Sequence, residues 1–80
     1  MYYKFDPDKC ATLIRATLGI QRRKQIDLAR ELGIGKVLLN MYLNRKLDLL
    51  PEHIEIALDS LGIRKQAERL NGLNNGQQNI

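Results

Sequence analysis

Eighty residues with a single cysteine make one small domain that can form neither an internal disulfide nor a cysteine-based zinc site. A chain this short buries only about 60–65% of the surface its unfolded form exposes, so modest stability, or help from a partner, is expected. A net charge of +4 is too mild to name a partner alone, an aromatic content of 5% argues against a β-sandwich, and no stretch approaches the roughly twenty apolar residues that span a bilayer.

The expected class is all-α, a bundle of four to five short helices behind a short N-terminal extended segment, occupying residues 1–70. The N-terminus lacks the apolar core of a leader peptide, and a soluble, unprocessed cytoplasmic protein is expected. Tyr2, Tyr3 and Phe5 are too few for a helix and are expected to pack on the core; the alternative is an arm along a nucleic-acid backbone, with Lys4 its one side-chain cation. Asp6 offers an N-cap, Pro7 fits the first helical position, and Asp8 complements the helix dipole. Helix 1 should therefore begin at Pro7. Cys10, Leu13, Ile14, Thr17 and Leu18 form its inward stripe, Gly19 is expected to close it, and Cys10 reads as a small core residue.

The linker over 20–24 gathers Arg22, Arg23 and Lys24 at the start of helix 2. Cations oppose the helix dipole there at a cost of a few tenths of a kcal/mol each, which a bound phosphate relieves. Helix 2 places Leu28, Ala29 and Leu32 on one face and Gln25, Arg30 and Glu31 on the other. Gly33 then suits the left-handed residue that ends a helix, Ile34 can bury, and Gly35 opens a third helix in which Leu39 and Tyr42 share the inner face. Two helices so tightly joined cross steeply and leave one face of the second uncovered. That face carries Lys36, Val37, Asn40 and Met41, with Asn44 at its far end. Cation, amide and small apolar groups are what can probe base edges and thymine methyls in a major groove.

The stretch from Gln25 to Asn44 resembles the helix-turn-helix of the lambda-repressor-like and Cro-like family. The resemblance rests on Gln25, Ala29 and Gly33 and on Leu28, Ile34, Leu39 and Tyr42 in the apolar slots; it is close over these twenty residues and loose over 8–63. It implies that helix 3 enters the major groove of double-stranded DNA, with Lys36, Val37, Asn40 and Met41 as base readers and Gln25 and Asn44 on phosphates. Ile26, Leu38 and Leu43 depart from the family by being apolar where it is usually polar, and Arg45 stands where many members have glycine.

Arg22, Lys24, Arg45 and Lys46 join Gln25 and Asn44 as expected phosphate contacts, the last two cations because the chain leaving the groove passes the sugar-phosphate edge. Charge is partitioned accordingly. Residues 21–46 hold seven basic and two acidic side chains, whereas residues 47–62 hold four acidic ones and no Lys or Arg. Such a polarity orients a molecule on a polyanion, although charges merely solvating helices give the same count. Pro51 starts helix 4, Ile54, Ala57, Leu58 and Leu61 face inward, Gly62 caps it, and the helix is expected behind helices 2 and 3. His53 has no second His or Cys with which to share a metal, so a surface histidine and no metal site are expected.

A last short helix over 63–70 puts Ile63, Ala67 and Leu70 on one stripe, which suits an isologous homodimer; the same stripe could instead fold onto its own core. Residues 71–80, nearly all Gly, Asn and Gln, read as a disordered tail. The functional expectation is a sequence-specific DNA-binding regulator, a dimeric repressor on an inverted repeat, in the manner of small phage or mobile-element regulators and some antitoxins. The alternative is a protein-interaction module, favoured by Val37, Leu38, Met41 and Leu43 on helix 3. An enzyme is not expected. One His, one Cys and no Gly-rich phosphate loop leave little from which to build a catalytic or cofactor site.

Overall fold

A computed structural model of the protein describes residues 3–70 and is all-helical over them, with no strand among the described residues. The helices are α1 (Pro7–Gln21), α2 (Gln25–Leu32), α3 (Lys36–Leu43), α4 (Pro51–Leu61) and α5 over residues 64–70. The tail expected over 71–80, with Met1 and Tyr2, lies outside the described residues. No described helix is long and apolar enough to cross a membrane.

Local chemistry sets most of the boundaries. Asp6 caps α1, its Oδ1 accepting from the amides of Asp8 at 2.9 Å and Lys9 at 3.4 Å, and Pro7 takes the first helical position where no amide is missed. Gly33 and Gly62 end α2 and α4 at φ +71° and +70°. Gly19 does not end α1. The helix runs on through Gln21, whose Nε2 donates to the Leu61 carbonyl at 2.9 Å, and the left-handed cap falls on Arg22 at φ 55°. The amides of Arg22 and Arg23 then return to the carbonyls of Gly19 and Leu18. Gly19 is thus an ordinary helical residue with open space where a Cβ would stand. Gly19→Ala is expected to stabilise the fold by about 0.5–1 kcal/mol, and Gly33→Ala to destabilise it by about 1–2 kcal/mol because alanine is strained in the left-handed region. Urea unfolding of the two variants checks the opposite signs.

The core runs from Phe5 through Ile14, Leu18, Leu28, Leu32, Leu39, Tyr42, Leu43, Ile54 and Leu58 to Ala67, with Leu13 and Ile34 partly buried at its edge. α4 packs on α1 and α2, and α3 is carried by α2 and α1, so α4 stands behind α1 and α2 rather than behind α2 and α3. Leu43, one of the apolar residues of helix 3 that favour the protein-interaction alternative, is core. Cys10 is buried, and burial, with Asp6 nearby, pushes its thiol from 9.0 to about 11, holding it protonated and unreactive.

Of the N-terminal aromatics, Tyr3 and Phe5 pack on the core. Tyr3 donates its hydroxyl to the Leu49 carbonyl at 2.6 Å, and the buried Phe5 ring lies 5.4 Å from the Arg64 guanidinium. Arg64 also meets Glu55 and Asp59 at 3.2 Å and Glu68 at 3.7 Å, tying α5 to α4. The stripe expected to join two subunits is mostly buried within one. Ile63 and Ala67 are 4% and 1% exposed, because α5 folds back and spends them on the chain's own core; of the three residues only Leu70 keeps open surface, beside Leu13.

Candidate nucleic-acid interface

α2 and α3 meet through Gly33, Ile34 and Gly35. The Gly33 and Ile34 amides close the end of α2 onto Arg30 and Ala29 at 3.1 and 3.0 Å, and Gly35 in extended conformation opens α3. With Leu39, Tyr42 and Leu43 buried, the opposite side of α3 faces outward: Lys36, Val37, Leu38, Asn40, Met41 and Asn44 are all exposed. Val37 is 72% exposed, and Leu38 and Met41 are 39% and 38% exposed.

The start of α2 lies against this surface. Lys24, Gln25, Ile26, Lys36 and Asn40 line one open hollow, so two cations and two amides from different helices converge there. A relay of side-chain amides crosses it. Asn44 Nδ2 donates to Asn40 Oδ1 at 3.1 Å, and Asn40 Nδ2 donates to Gln25 Oε1 at 3.2 Å. Gln25 keeps both of its Nε2 hydrogens and Asn44 its carbonyl oxygen for an outside partner. The link from Asn40 to Asn44 follows helical i,i+4 spacing, but the link from Gln25 to Asn40 depends on the crossing of α2 and α3 and is invisible in sequence. No side chain caps α2; the amides of Asp27 and Leu28 return to the Lys24 carbonyl at 3.2 and 3.3 Å, which leaves those of Gln25 and Ile26, beside Lys24, at a helix end that favours an anion.

The basic residues divide by whether the protein has already used them. Arg22, Lys24, Lys36 and Lys46 are exposed and make no ion pair among the described residues. Arg23 turns inward instead, donating to the Ser60 carbonyl at 3.0 Å and pairing with Glu31, which also accepts from the Ser60 hydroxyl. It satisfies the end of α4, and no sequence signal separates it from its neighbours Arg22 and Lys24.

Arg45 corrects the expected phosphate set. Its Nε meets Asp8 at 2.5 Å, its Nη2 meets Asp48 at 2.6 Å, and its guanidinium lies 5.3 Å from the centre of the Tyr42 ring. Two carboxylates offset its charge, so it fastens the end of α3 to the start of α1 rather than reaching out. Its backbone takes φ 59°, the left-handed conformation that glycine adopts freely. The Lys46 amide meanwhile closes α3 onto the Met41 carbonyl at 2.8 Å.

No family model, curated protein or solved structure matches this chain. The site therefore rests on its own geometry. Arg45→Ala is expected to lower stability by about 1 kcal/mol through its lost ion pairs, and Arg45→Gly by less, since glycine relieves the backbone strain of the left-handed region. Comparing the urea midpoints of the two variants tests that order. No group of three or more His, Cys, Asp or Glu side chains able to hold a metal occurs among the described residues.

Proposed function

We propose that this chain is a sequence-specific DNA-binding regulator that places α3 in the major groove, as its resemblance to the lambda-repressor-like helix-turn-helix implies. The observation that carries the reading is the convergence of Lys24, Gln25, Lys36 and Asn40 on one open hollow, where neither cation makes an ion pair among the described residues. Phosphate contacts fall to Arg22, Lys24, Gln25, Asn44 and Lys46, and base contacts to Lys36, Val37, Asn40 and Met41. Arg45 leaves the list of contacts. A dimeric repressor on an inverted repeat is the proposed form, with half-sites about 34 Å apart. Of the expected stripe of Ile63, Ala67 and Leu70, Leu70 keeps the proposed subunit contact, with Leu13 and Ala16 around an apolar hollow.

Selection of bound duplexes from a random-sequence pool tests the proposal. An enriched inverted repeat is expected, and Lys36→Ala or Asn40→Ala should change the preference at one or two base pairs, costing about 1–3 kcal/mol per lost contact. Unchanged preference in both variants overturns the assignment of the reading face.

A second reading, a protein-docking module, draws on the exposure of Val37, Leu38 and Met41. It loses Leu43, which is core. Salt separates the two readings, because contacts to several phosphates make affinity fall steeply with ionic strength.

A further inference from the structure

The outward side of α3 mixes two kinds of group at fixed spacing. Val37 precedes Asn40 by three residues and Met41 by four, so the three share one helical surface, and Asn44 extends it by another turn. Val37 is the most exposed apolar side chain of α3, and Met41 stands beside it with more than a third of its surface open. Neither side chain is needed by the core.

Asn40 is partly committed and partly free. One Nδ2 hydrogen goes to Gln25 and one Oδ1 lone pair accepts from Asn44. An amide has two hydrogens and two acceptor sites, so one donor and one acceptor remain. The two relay bonds also restrict the rotation of the amide, which lowers the entropy lost when it is engaged.

That remainder matches one base. Adenine presents an N7 acceptor and an N6 donor in the major groove, and its partner thymine presents the C5-methyl, the apolar group among the base edges there. An apolar protein surface laid over Val37 and Met41 would instead strand the remaining donor and acceptor of Asn40, a loss of binding that the A·T edge avoids.

We propose that Val37, Asn40 and Met41 act as one A·T-reading unit, with Asn40 on an adenine edge and Val37 and Met41 against thymine methyl groups. The inference rests on the DNA-binding function proposed above and names the bases that this face selects.

The test uses the duplex enriched by selection, resynthesised with deoxyuridine in place of individual thymines. This change removes the methyl and leaves the hydrogen-bonding edge intact. At the contacted positions each lost methyl is expected to weaken binding about fourfold, from the loss of one buried methyl-sized contact. Substitution at flanking thymines should change nothing. Val37→Ala and Met41→Ala, both at exposed positions and checked for folding by circular dichroism, should each make thymine and deoxyuridine duplexes bind more nearly alike. Asn40→Ala should keep the methyl effect and lose the adenine preference. Equal binding of thymine and deoxyuridine duplexes by the unaltered protein, with an enriched sequence still preferred, overturns the inference and leaves DNA reading standing. Failure of the folded protein to enrich any duplex overturns both.

Discussion

Truncating Tyr42 to alanine is expected to leave much of the chain unfolded in water at room temperature. Tyr42 has no exposed surface, lies where α3 meets α1, donates its hydroxyl to the Pro7 carbonyl at 2.9 Å and carries the Arg45 guanidinium over its ring. Burial pushes the phenol well above its ordinary range, so the hydroxyl remains a donor across the working pH. Removing a buried aromatic ring costs about 3–5 kcal/mol, against a total stability of roughly 4–12 kcal/mol for a domain of this size. Tyr42→Phe keeps the ring and loses only the hydrogen bond, for about 1 kcal/mol. Urea titration followed by far-ultraviolet circular dichroism separates the two. If Tyr42→Ala left the midpoint where it was, the packing of α3 on α1 described above would be wrong.

For the duplex recovered by selection, affinity is expected to fall about a thousandfold between 50 and 200 mM salt. Arg22, Lys24 and Lys46, exposed and without an ion pair among the described residues, give three cations per subunit for phosphates, and each phosphate neutralised in a dimer contributes about −0.9 to the slope of log affinity against log salt. Gln25 and Asn44 position the backbone without releasing counterions. Lys24→Ala and Lys46→Ala should each flatten the dimer's slope by about 2, since each removes one cation from both subunits. Arg45→Ala should leave the slope unchanged, because that guanidinium is already held by Asp8 and Asp48. Fluorescence anisotropy over a salt series gives the slopes. A nearly flat line for the unaltered protein rules out phosphate-led binding and favours the docking module.

What could be read from sequence was local. Pro7 behind Asp6, Gly33 between two apolar stripes, and Pro51 with Gly62 each determine backbone geometry within a few residues, and each marks a boundary of its helix. The inner face of α3 followed from spacing for Leu39 and Tyr42, but Leu43 did not, because whether a neighbouring position buries depends on where α1 lies. Gly19 misled for a similar reason. A glycine permits a left-handed cap without requiring one, and the extra turn of α1 is anchored by Gln21 on Leu61, forty residues away. Charge was the least legible. Arg22, Arg23 and Lys24 are adjacent and chemically alike, yet Arg23 is drawn inward by the carbonyl ending α4 and by Glu31, while its neighbours stay exposed. Long-range pairing of that kind has no periodicity to betray it.

The alternation along α3 has a consequence for how the protein can change. Leu39, Tyr42 and Leu43 hold the helix in place, while Lys36, Val37, Asn40 and Met41 contribute nothing to the buried core. Mutations on the outer side are therefore nearly free of folding cost, within about 0.5 kcal/mol each as for most surface substitutions. A lineage carrying this scaffold can drift to a new binding preference one residue at a time without passing through unfolded intermediates. A designer can likewise vary these four positions among residues other than proline and glycine, which would break or loosen the helix itself, and expect most variants to fold.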